Sequence, residues 1–213
     1  MAGLFDSGGG TAYVMHCGGE CGGNAAGVAF VDMSQNPPAV TTTVAVPAVT
    51  VGLLKSGTLY VAGTPPSPLN DCAGITTAAT SCGRLSVIDI VGAAVINSTP
   101  LPIADGRHDH LQIGSNNQLF IGSHGCSSVA ISGGETRGCL SIVNTASGNL
   151  DLSSIIAPPQ SGDVTSIEPI PHRNVVYVCQ GGGLQIYDTS TDKLQATQVK
   201  IVGQAIDVKV VDF

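Results

Sequence analysis

Val175-Val176-Tyr177-Val178-Cys179-Gln180-Gly181-Gly182-Gly183-Leu184-Gln185-Ile186-Tyr187-Asp188 is the stretch that decides the fold. β-Branched and aromatic residues crowd both sides of a glycine break, the composition of two short strands joined by a turn. The pattern returns upstream. An aromatic-aliphatic pair opens a strand at Tyr13-Val14, Tyr60-Val61, Phe120-Ile121 and Tyr177-Val178. A second strand, ending in Asp or Asn, follows each pair: Val28 to Asp32, Leu85 to Asp89, Leu140 to Asn144 and Leu184 to Asp188.

Two further apolar runs complete the unit. A third strand follows the second anchor, most plainly at Val40 to Val46 and Leu194 to Ile201. A fourth precedes each internal aromatic pair, at Val49 to Leu54, His108 to Ile113 and Val164 to Ile170, with a last copy at Ala205 to Val211. Four strands per unit, recurring at roughly 45 to 60 residues, is the signature of propeller blades. The sequence therefore predicts an all-β chain, a β-propeller of four-stranded antiparallel blades with about four blades over residues 11–213.

Composition agrees. The 213 residues hold 28 Gly and 12 Pro, with only 11% charged residues, which suits many turns between short apolar strands. Mean hydropathy is +0.30, too apolar for a disordered chain. The net charge of −7 leaves no basic face for nucleic acid and disfavours anionic membrane surfaces. The longest nearly apolar stretch, Val44 to Leu54, is broken by Pro47 and Thr50 and is too short for a transmembrane segment.

Six of the seven cysteines fall one pair per unit, always between the two anchors: Cys17 and Cys21, Cys72 and Cys82, Cys126 and Cys139. The ends of a hairpin connection lie close together, so these pairs suit disulfides that staple loops, each contributing about 2–3 kcal/mol. A zinc site on Cys17 and Cys21 is the alternative, against which the spacing differs in every copy. Cys179 sits where Met15, Ala62 and Gly122 stand in the other copies, the place of a buried, inert thiol rather than a catalytic one. Disulfides imply an oxidising, extracytoplasmic location: periplasm, cell surface or medium.

Residues 1–10 carry no signal peptide and read as a disordered or truncated leader. With the disulfides, this suggests the C-terminal part of a longer exported protein. The alternative is a small closed ring in which Ala205 to Val211 completes the first blade. An open ring would favour a homodimer.

The anchors resemble the YVTN-type β-propeller repeats of exported bacterial and archaeal proteins: Tyr177-Val178-Cys179-Gln180 and Tyr60-Val61-Ala62-Gly63, each followed by a Leu-x-Ile-x-Asp-like strand. The resemblance runs from about Thr11 to Val211 and implies fold more than activity. The polar fourth residue is replaced by His16, Gly63, Ser123 and Gln180, and the turn before the motif is degenerate at Ile113 to Asn117. The cysteine-stapled insertions look like those of an exported bacterial subgroup.

One constellation stands out for chemistry: Asp105-Gly106-Arg107-His108-Asp109-His110, where an innermost strand begins. In a regular strand His108 and His110 point to the same side, and with Asp109 they would suit a divalent cation. His16, His124 and His172 are further candidate ligands. Arg107, Asp163, Glu168 and Asp207 are candidate binding residues of a polar channel, and a solvated acidic rim is the blander reading of the carboxylates. No serine has the setting of a nucleophile elbow, and no helix follows Gly181 to Gly183 to hold phosphate.

The leading expectation is a non-enzymatic, exported binding or scaffold module that engages a protein or glycan through blade loops. The rival is a lactonase-like hydrolase with a divalent metal at the channel mouth, since lactonases of related repeat type exist.

Overall fold

A computed structural model describes residues 3–72, 81–97, 99–130, 136–145, 155–156, 162–191, 193–196, 199 and 201–211. Four antiparallel sheets follow one another along the chain. The first contains β1 (Gly3–Phe5), β2 (Thr11–Cys17), β3 (Ala26–Asp32) and β4 (Ala39–Ala45) in that spatial order. The second contains β5 (Val51–Lys55), β6 (Thr58–Gly63), β7 (Cys82–Asp89) and β8 (Ala94–Val95), with β9 (Leu101–Ala104) pairing the other half of β7. The third contains β10 (Arg107–Ile113), β11 (Gln118–Ala130), β12 (Thr136–Asn144) and β13 (Ile155–Ile156). The fourth contains β14 (Val164–Pro169), β15 (Val175–Gln180), β16 (Gly183–Asp188) and β17 (Lys193–Leu194).

Each sheet buries one face against the next. Tyr13, Met15, Val28 and Phe30 of the first pack on Leu59, Val61 and Ile88 of the second. Leu85 and Ile103 meet Leu111, Leu119 and Ile121, and Phe120, Leu140 and Ile142 meet Val164, Val176 and Tyr187. The apolar side chains alternate along their strands, so the second and third sheets supply both of their faces to successive cores, and the first and fourth supply one each. Every fully buried Leu, Ile or Phe in these layers is worth about 1.5–3 kcal/mol of transfer free energy. Edge-on rings lock two of the layers: Tyr13 against Phe30 at 5.0 Å and Phe120 against Tyr187 at 6.0 Å between centroids. The result is a propeller-like all-β architecture.

The chain ends differ from expectation in their local structure. Within residues 1–10, Gly3–Phe5 is ordered as β1, with Leu4 opposite Tyr13, at the β2 edge of the first sheet. The polar, glycine-rich stretch after it is a turn in which the Asp6 amide donates to Thr11 O and Gly9 adopts φ 67°. Ala205 to Val211, expected as a strand, forms no ladder. It lies beside β14 and is held largely by side chains, with Ser166 Oγ donating to Asp207 Oδ1 at 2.6 Å. Beyond β17, the expected third strand of the last unit, Leu194 to Ile201, shows among the described residues a bridge between Leu184 and Val199; positions 197, 198 and 200 lie outside the described residues.

The three expected disulfides are present, Cys17–Cys21, Cys72–Cys82 and Cys126–Cys139, with Cα atoms 5.6, 5.3 and 6.0 Å apart. No helix among the described residues is long and apolar enough to cross a membrane.

Candidate functional site

Strand register places the β2–β3, β6–β7 and β11–β12 connections, with their disulfides, at the same end as the starts of β5, β10 and β14. Side chains link the sheets along this rim. Glu20, between the first two cysteines, accepts the Thr64 amide at 2.9 Å, and Thr64 Oγ1 donates to Gly106 O at 2.9 Å. Thr50 Oγ1 donates to His108 O at 2.7 Å, and the Gly125 amide donates to Asp163 Oδ1 at 3.3 Å. The rim is thus one hydrogen-bonded belt across four sheets.

β10 begins on this belt. Gly106 takes φ 98°, and a Cβ there would stand 2.2 Å from His124 O, so only glycine lets the strand start against β11. Asp105 is buried and accepts the Ser127 amide at 2.8 Å and the Ser81 hydroxyl. From Arg107, opposite His124, the ladder runs to His108 opposite Ser123 and then skips to His110 opposite Gly122. Asp109 is the extra residue of a β-bulge, and a bulge re-aims the side chains that follow it.

That bulge corrects the sequence expectation. His108 and His110 do not share a side. His108 is 2% exposed, turned into the layer beside Gly83, with Nε2 2.9 Å from Ala104 O. Burial, the largest influence, takes its pKa down to about 4, so the ring is neutral at physiological pH. His110 and Asp109 face the rim together, and the third partner is His124 of β11. One ligand atom from each of Asp109, His110 and His124 lies within 4.8 Å of the others. His124 Nε2 is 3.0 Å from Asp109 Oδ2, and His110 Nε2 is 3.5 Å from Asp109 Oδ1. On the far side of the His124 ring, Nδ1 is 3.2 Å from Asp163 Oδ2. The exposed Arg107 reaches Asp109 Oδ2 at 3.5 Å. Burial foremost lowers the pKa of His110, against the opposing pull of Asp109.

Of the candidate binding residues, Arg107 and Asp163 therefore join this cluster, while Glu168 and Asp207 form another. Lys209 Nζ lies 3.5 Å from Glu168 Oε2 and 3.7 Å from Asp207 Oδ1. His16 and His172 are exposed elsewhere, on β2 and in the turn after β14. A cavity of about 610 Å³ connects the two clusters, lined by Leu4 of β1, Val51 and Leu53 of β5, Asp109 and His110 of β10, Thr165 and Ser166 of β14, and Asp207 and Lys209. Every innermost strand contributes to it, which is where a ligand of such a fold finds convergent side chains. Lys209 had no motif to mark it, and the choice of His124 over His108 depended on a bulge that no turn residue announces.

No protein-family model matches the chain, and a search of the curated proteins found no relative. Among solved structures the chain resembles hydrazine synthase of Kuenenia stuttgartiensis, with a TM-score of 0.60 and 11% identity, over 87% of this chain and 51% of that one. The chain thus spans about half the length of that structure. At such identity the likeness concerns the fold alone.

Proposed function

We propose that this protein is an extracytoplasmic propeller of the YVTN repeat type that serves as a binding or scaffold module, engaging a protein or glycan partner at its stapled rim. One observation carries the reading: three disulfides and four cross-sheet hydrogen bonds stiffen the same end at which the cavity cluster opens. A rim ordered before binding avoids the conformational entropy that flexible loops lose on association. The disulfides support an oxidising location. The four sheets then act as four blades of one ring, or as part of a larger one, and the mass in solution separates these: 21.4 kDa for a self-sufficient chain, a multiple of it for a ring shared between copies.

The test is a glycan array and a cross-linking capture from the exported fraction, run in parallel with Glu20→Ala/Asp163→Ala protein. Retained partners that drop away with the rim variant are expected. Capture that is indifferent to the rim residues sinks the reading. A second reading, a lactonase-like hydrolase, is favoured by the convergence of Asp109, His110 and His124 beside the cavity. Lactone hydrolysis abolished by a chelator would replace the first reading with this one.

A further inference from the structure

We propose that Asp109, His110 and His124 bind a divalent transition-metal ion of the zinc class, with Asp163 holding His124 in place from outside the coordination shell. The inference concerns the ion itself and holds whether the rim binds a partner or performs a reaction.

The spacing is that of ligands around a metal. Donor atoms bound at about 2.0–2.1 Å to a tetrahedral ion stand about 3.3 Å from one another. One carboxylate oxygen of Asp109 lies 3.0 Å from His124 Nε2 and the other 3.5 Å from His110 Nε2, and one donor atom from each of the three residues lies within 4.8 Å of the other two, close enough for modest side-chain rotation to bring them onto one ion. Two imidazoles and one carboxylate suit zinc and its neighbours, whereas calcium and magnesium prefer oxygen alone.

The surroundings point the same way. A ligating histidine commonly gives its other ring N–H to a carboxylate, which fixes tautomer and orientation. His124 Nδ1 against Asp163 Oδ2 is that arrangement, and Asp163 is itself held by the Gly125 amide. Asp109 Oδ1 is buried and accepts no hydrogen bond, an unmet need that a cation would satisfy. The parts are rigid: Asp109 is fixed by the bulge, and His124 lies two residues before the stapled Cys126. Three protein ligands leave a coordination position free, and Asp109 and His110 line the cavity that also holds the Lys209 ammonium. An anionic group in the cavity is thus the natural fourth ligand.

The competing account is an ordinary ion-pair cluster, with Arg107 and the histidines neutralising Asp109 and Asp163. Chelator-stripped, oxidised protein titrated with Zn²⁺ by calorimetry, and with Co²⁺ by visible absorption, separates the two. Saturation at a single equivalent per chain is expected, with ligand-field bands of a cobalt site bound by nitrogen and oxygen. His110→Gln and His124→Gln should each weaken Zn²⁺ binding roughly 100-fold and Asp163→Asn about 10-fold. His108→Val should leave it unchanged. Circular dichroism and urea midpoints establish that each variant is folded. Folded wild-type protein that takes up no stoichiometric ion overturns the proposal. So does undiminished uptake by His110→Gln/His124→Gln protein, or calcium bound as tightly as zinc.

Discussion

β10 and β14 are the same backbone carrying different chemistry. Each comes after a glycine of positive φ, Gly106 or Gly162, and each slips register at the third residue past that glycine, so that Asp109 and Thr165 are equivalent extra residues. His108 then corresponds to Val164, and His110 to Ser166. In the third sheet the slip turns Asp109 and His110 toward a histidine on the neighbouring strand, whose hairpin is disulfide-closed. In the fourth, the hairpin is a bare glycine turn, and Ser166 ties down the C-terminal segment instead. A repeated architectural slip supplies the geometry, and the side chains placed on it decide what it does.

The largest break in this comparison should come from the glycine. Gly106→Ala adds a methyl against His124 O at a positive φ, so a loss of about 3 kcal/mol in urea unfolding is expected, together with loss of the Asp109–His124 contact. Converting the third sheet toward the fourth by Cys126→Ala/Cys139→Ala should cost about 2–3 kcal/mol. It should also weaken Zn²⁺ binding several-fold, since His124 loses its anchored neighbour; equal affinity in calorimetry would show that the staple does not position the ring. His108→Val installs the β14 residue at a buried place where the imidazole makes one hydrogen bond, to Ala104 O. A change of about 1 kcal/mol in thermal unfolding is expected. A much larger loss would mean that the neutral ring holds the layer together.

The smallest effect concerns the other strand. The Ser166 hydroxyl, foremost, holds the Asp207 carboxyl below the ordinary carboxylate range. A carboxylate depressed in the folded state stabilises above its unfolded pKa, and that contribution fades as pH falls through the folded value. Amide exchange of residues 205–211, corrected for intrinsic rates, should therefore quicken below about pH 4. In Ser166→Ala the segment should exchange faster already at neutral pH, and the acid step should shrink. Exchange identical to wild type at both pH values would remove the tether from the account.

What could be read from the sequence divides along physical lines. Strand identity, the four-strand unit and the cysteine pairs rest on local periodicity and on the closeness of hairpin ends, both visible in one dimension. The site was legible as a neighbourhood, Asp105 to His110, but not in its membership. Period-2 alternation put His108 beside His110, and the bulge at Asp109 reversed it. His124 entered because cross-strand register set it opposite Arg107, information that lies in pairing rather than in either strand alone. Gly3–Phe5 was masked because three residues carry too little pattern to separate a strand from a leader. Ala205 to Val211 had the pattern of a strand and no ladder, its contacts coming instead from Ser166 and Glu168.

Cys179 closes the chemistry of the thiols. It is fully buried, and burial foremost, with the Asp207 charge, raises its pKa. Reshuffling of a disulfide begins with attack by a thiolate, so the one unpaired sulfur of this chain is both shielded and kept protonated. Once the fourth sheet has folded around it, oxidative maturation has no internal nucleophile left to scramble it, and the three bridges persist as first correctly made.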